Sequence, residues 1–206
     1  MLSFNLEEFL GVLARFNQDI WPLQIVAVVL GILALFLLVK KNKYSDRIIL
    51  AILAFFWLWN GIVFCPFYWA PIYKYAYLFG AFCSIQGILF LTGVFKPNIS
   101  FGHLNSLKTT VAIIFIVYAI AGYQILGHLL GHIYPAFFPF GLVPCPTAIF
   151  TFGLLLLTNK RVPKYYIIIP AIVSAGGIMA AYKGVYEDIG LIIAGLTGTY
   201  LLLRKS

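Results

Sequence analysis

The sequence predicts an all-α fold: a polytopic transmembrane helix bundle of about seven spans, preceded by an interfacial amphipathic helix. Three observations predict it. The 206 residues are 63% hydrophobic and only 10% charged, with a mean hydropathy of +1.00, far from the composition of soluble domains. The apolar residues fall into long runs separated by short polar turns. The basic residues gather in alternate turns. One domain is expected over residues 1–206, with 1–20 as the interfacial helix and 21–206 as the bundle.

Residues 1–20 carry Glu7 and Glu8 and lack both a basic start and a continuous apolar core, so they do not read as a cleavable signal. Asn5 and Glu8 fit a capping box, and Leu6, Phe9, Leu10, Leu13 and Phe16 recur at helical spacing as one apolar stripe. Such a helix either anchors on the outer surface and orients the first span, or forms a lid over an outward cavity. Trp21 and Pro22 then turn the chain inward. The spans that follow are Pro22 to Val39, Arg47 to Phe64, Ile72 to Phe95, Thr109 to about His132, Thr147 to Thr158, Tyr165 to Tyr182 and Asp188 to Leu203. The fifth is short. Pro135, Pro139, Pro144 and Pro146 are expected to break any helix before Thr147, leaving about 18 Å of helix against a hydrocarbon core of about 30 Å. The Pro-Cys-Pro loop then lies at membrane depth, where irregular backbone is tolerated only when buried in protein or lining a polar cavity.

Lys40, Lys41, Lys43 and Arg47 follow the first span, Lys96 and Lys108 flank the loop after the third, Lys160, Arg161 and Lys164 follow the fifth, and Arg204 and Lys205 follow the seventh. These alternate turns hold eleven of the fourteen Lys and Arg residues, so they are expected to face the cytoplasm, with the N-terminus outside and the C-terminus inside. The net charge of +8 is then a topology signal, with membrane lipid of the inner leaflet as its counter-charge. A nucleic-acid partner is not expected, because the cations are spread over short loops and form no groove-sized patch.

Counting about 1.5 Å per residue from each cytoplasmic helix end places Asn60, Cys83 and Cys145 at one level, about 18 to 20 Å above the inner boundary, with Gln124 slightly higher. Asn60, Gln86 and Gln124 either hydrogen-bond between helices or line a substrate path. Gln124, His128 and His132 fall at i, i+4 and i+8 and share one face if the helix continues to Ile133; the two histidines then either hold a metal ion or sit hydrogen-bonded in the outer interface. Cys145, just ahead of Thr147 as a candidate cap, stands at a helix N-terminus that favours a thiolate, unless apolar burial leaves it as inert packing. As a soft ligand it would hold a thiophilic metal ion together with Cys83, His128 and His132. The candidate ligand-binding set is Asn60, Cys83, Gln124, Cys145 and Thr147. Cys65 closes the second span near the outer surface, apart from the other two thiols. Glu187 and Asp188 either cap the last helix or recruit metal at the mouth. Glycines near Gly127, Gly176, Gly190 and Gly198 offer close-packing faces within one subunit or between subunits of an oligomer.

No acidic residue is expected mid-span, which disfavours classical proton or sodium coupling. No Cys-x-x-Cys, Walker loop, dinucleotide fingerprint, serine-hydrolase elbow or HExxH motif occurs. The stretch Gly141-Leu142-Val143-Pro144-Cys145-Pro146-Thr147-Ala148-Ile149-Phe150-Thr151-Phe152-Gly153, with Trp21-Pro22-Leu23 and Asn60-Gly61, resembles small multispanning bacterial membrane proteins of unknown function. The resemblance implies a bacterial inner (plasma) membrane location and carries no activity. The expected function is an outward-facing site at the Pro-Cys-Pro loop that binds or transports a small ligand, with a thiophilic metal ion as the sharpest candidate. The alternatives are a ligand-sensing membrane module and a thiol-dependent enzyme, the latter disfavoured by the depth separating Cys145 from His128.

Overall fold

The apolar runs of the sequence become helices almost one for one. The computed structural model describes residues 5–102 and 107–204; Lys205, one of the cations used above, lies outside the described residues. Among the described residues there are nine α-helices and no strand: α1 (Leu6–Asp19), α2 (Leu23–Val39), α3 (Ser45–Trp59), α4 (Ala76–Phe95), α5 (Leu107–Val117), α6 (Tyr123–Leu129), α7 (Pro144–Leu156), α8 (Tyr165–Tyr182) and α9 (Asp188–Leu203). A π-helical segment, Asn60–Trp69, prolongs α3 without a break, and another, Tyr118–Gly122, joins α5 to α6. Among the described residues four helical stretches are long and apolar enough to cross a membrane: Ser45–Trp69, Ala76–Phe95, Lys108–Leu129 and Tyr165–Tyr182. A fifth arises if α1 and α2, bent by 85° to one another, count as one span, while α7 and α9 are shorter apolar helices. These long apolar helices suggest a membrane protein, and the large apolar side chains left exposed on α2, α5 and α9, such as Phe36, Ile114 and Leu196, suit a lipid surround.

Local chemistry accounts for the helix ends. Asn5 caps α1 by accepting the Glu7 N–H at 3.0 Å, and the stripe of Phe9, Leu13 and Phe16 turns inward as expected, taking Asn17 with it. Pro66 has no N–H to donate, and it lies within the wide turns of the first π-helical segment, which ends on a bond from Ala70 N to Cys65 O. The second span therefore extends to Trp69, and Cys65 is fully buried instead of closing the helix near the surface.

The helix after the proline-rich loop starts earlier than its prolines suggest. Pro144 is its first residue and Pro146 its third, positions where the backbone N–H has no helical partner to lose. The extended N-cap is Val143, so Thr147 is not the cap; its hydroxyl bonds back to Val143 O at 2.8 Å. All of α7 is buried except Cys145, which is half-buried, and α7 packs against α3, α5, α8 and α9 as the hub of the bundle.

Helices approach most closely at glycines. A Cβ on Gly61 would lie 2.5 Å from Ser84 N and 2.7 Å from Gly80 O, and one on Gly87 would lie 2.8 Å from Leu58 N, so α4 runs backbone-to-backbone along α3 and its π-helical extension. At the end carrying the basic turns, Asp46 accepts the Phe101 N–H at 2.9 Å and meets Lys41 Nζ at 3.3 Å, which ties the loop before Gly102 to the α2–α3 turn.

Candidate functional site

Residues 130–143 have no regular structure, so their carbonyls need partners that a helix would have supplied internally. Three buried or half-buried amides supply them. Asn17 Nδ2 donates to Pro135 O and Phe137 O, both at 2.7 Å; Gln124 Nε2 donates to Phe138 O; Asn60 Nδ2 reaches Gly141 O at 3.3 Å while bonding Phe56 O at 2.7 Å. Asn60 also reaches Thr147 Oγ1 at 3.3 Å, so these two candidate residues do meet. Amides from three separate elements thus hold the irregular loop. Gln86, fully buried on α4, has neither polar side-chain atom partnered.

The loop ends at Cys145, whose thiol donates to Asp188 Oδ2 at 3.4 Å. Tyr123 donates its hydroxyl to the other oxygen of the same carboxylate, and both Tyr123 and Asp188 are buried. As a hydrogen-bond donor to a carboxylate, Cys145 carries its proton in this arrangement and is not the free thiolate that its place at a helix N-terminus suggests. Beside it, Glu187 is fully buried; its Oε1 lies 2.5 Å from His132 Nδ1, and its backbone carbonyl accepts from Tyr118 at 2.7 Å. Neither acid caps α9 through its side chain; both are fully buried, and Asp188 faces the cavity that α1 and the proline-rich loop help to line.

The expected metal set does not assemble. Gly131, at φ +92°, lies beyond a helix that ends at Leu129, so the i, i+4, i+8 stack fails: His128 is exposed while His132 turns in to Glu187. Cys83 neighbours Cys65, and both are fully buried, so Cys65 does not stand apart near the surface. Among the described residues no three His, Cys, Asp or Glu side chains gather as a metal cage would require.

The site brings together a cavity of ≈ 160 Å³ between α1, the first π-helical segment, α8 and the start of α7. Phe9, Phe64, Trp69, Phe79 and Phe138 wall it, with Val173, Met179 and the bare backbones of Gly176 and Gly177 on the α8 side. Cys145 and Asp188 form part of the same wall. Through Phe9, α1 contributes part of the cavity wall. Tyr123 was not among the candidates, and Glu187 and Asp188 entered only as a helix cap or as metal recruitment at the mouth; the signal for the acids was two adjacent ones in a chain with six, placed after a turn too short to hold them clear of the bundle.

The sequence matches a family of unknown function, DUF6064, over residues 6–206, and the chain belongs to that family. No curated protein and no solved structure matches it.

Proposed function

We propose that this member of the family is an integral membrane protein that binds a small, mainly apolar organic ligand in the cavity at the start of α7, with Cys145 and Asp188 as its polar end. One observation carries the reading: an aromatic-walled space in which two hydrogen-bonding side chains converge, the usual composition of a small-molecule site. A thiophilic metal ion is supported less, because Cys145 offers a single soft donor while Cys83 faces Cys65 and His132 faces Glu187. The distribution of the basic turns supports an orientation with the N-terminus out and the cavity on the outer side of a bacterial inner membrane. A cytoplasm-active reporter fused after Ser206 is expected to work and one before Met1 to fail; the reverse pattern would invert the orientation.

The ligand site itself is tested by reactivity. In purified full-length protein, a small maleimide is expected to modify Cys145, and saturating 2-phenylethanol to slow that reaction. Ala180→Phe, which fills the cavity, is expected to remove the protection. Labelling of Cys145 that neither the alcohol nor the filled cavity alters would overturn the reading.

A further inference from the structure

Resting on the reading of this cavity as a ligand site, we infer that its ligand is an organic cation, an ammonium group carried on an apolar body. The walls have the chemistry of a cation site. Phe9 of α1, Trp69 of the π-helical segment and Phe138 of the loop converge on the same cavity as Asp188, with ring centroids 5.6 Å apart for Phe9 and Trp69 and 5.8 Å for Phe9 and Phe138. Aromatic faces are negative and attract a cation within about 6 Å of the ring centroid.

The charge balance points the same way. Among the described residues no Lys, Arg or His side chain lines the cavity or pairs with Asp188. Each oxygen of Asp188 accepts one hydrogen bond, from Tyr123 and from Cys145, and each retains acceptor capacity for a further donor. Adjacent Glu187 meets His132 through one oxygen, and its other, Oε2, has no partner. Of the two buried acids, only Glu187 has an imidazole partner. A buried carboxylate requires a counter-charge to be held ionised, and a bound ammonium supplies it at Asp188. A carboxylate or phosphate ligand would meet like charge there with no basic side chain to receive it.

The experiment compares three probes with one apolar body and different heads: 2-phenylethylammonium, 2-phenylethanol and 3-phenylpropanoate. Each is titrated calorimetrically into the purified full chain in neutral detergent. The ammonium is expected to bind about tenfold more tightly than the alcohol, a ratio that 1.4 kcal/mol provides, and the carboxylate most weakly. Asp188→Asn is expected to bring the ammonium-to-alcohol ratio toward one. Should that variant not fold, the wild-type ratio decides alone, and Phe138→Leu, which removes a ring and leaves the carboxyl, is expected to reduce it. Equal binding of alcohol and ammonium, or tighter binding of the carboxylate, overturns the cation inference and leaves the cavity a ligand site. No binding of any of the three overturns both.

Discussion

Replacing Gly61 with alanine puts a methyl group where α4 leaves no space. Its Cβ would lie 2.3 Å from Ser84 Oγ, 2.5 Å from Ser84 N and 2.7 Å from Gly80 O. The hydroxyl can rotate away, but the two backbone atoms move only if α4 moves. Overpacking of this kind costs about 1–3 kcal/mol, and two backbone obstructions place Gly61→Ala near the upper figure of about 3 kcal/mol. For a chain of this length each kcal/mol shifts the melting temperature by about 2–4 °C, so a fall of roughly 6–12 °C is expected. Gly11→Ala is the control. Nothing lies within 4 Å of its Cβ position, and within exposed helix alanine is favoured by about 0.5–1 kcal/mol, so its melting temperature should hold or rise. Far-ultraviolet circular dichroism of the purified protein in one detergent measures both. If Gly61→Ala melts with the wild type, the backbone-to-backbone contact between α4 and the π-helical segment is wrong, and with it the packing that buries Cys65.

Three further outcomes follow from the same geometry. Asn60→Ala leaves Gly141 O without its amide donor and is expected to destabilise the protein by about 1–3 kcal/mol, read as a lower melting temperature, whereas Asn5→Ala, at an exposed cap, is expected to change it by about 1 kcal/mol. Peptide mapping after maleimide treatment should find the native protein modified at half-buried Cys145, with Cys65 and Cys83 reacting only after denaturation; prompt modification of Cys83 would contradict its burial. Mild oxidation is expected to join Cys65 to Cys83, and a Cys83–Cys145 cross-link in its place would refute the thiol pairing described above.

Much of this architecture was legible because hydropathy acts on whole segments. The runs 22–39, 165–182 and 188–203 became α2, α8 and α9 to within a residue. Asn60 and Thr147, two of the candidate ligand-binding residues, come from distant segments and meet. What depth could not show was direction: the amides point at loop carbonyls, a demand that exists only once the loop is folded against them. The histidine stack depended on a helix continuing past Gly131, and the chain instead ends that helix at Leu129. The start of α7 was misplaced because proline breaks a helix only where its missing N–H would have been used, and Pro144 and Pro146 occupy positions where it is not. The acids at 187 and 188 were hidden by tertiary covering. Whether a helix end faces water depends on what lies around it, and here that includes a cavity wall to which α1 contributes from more than a hundred residues away.

The shortness and near-complete burial of α7 bear on the order in which such a chain assembles. Thirteen residues rise about 20 Å, too little to be recognised as a span, and every α7 side chain but one is enclosed by helices, two of which, α8 and α9, lie later in the chain. During synthesis α7 therefore emerges before two of the four helices that enclose it. Its own sequence eases the wait: the hydroxyls of Thr147 and Thr151 bond back to Val143 O and Thr147 O, so two of its polar side chains are satisfied before any neighbour arrives. The central helix of the finished protein is, in order of assembly, a guest of its flanking spans, and the last helix to be made is the one that brings Asp188 to Cys145.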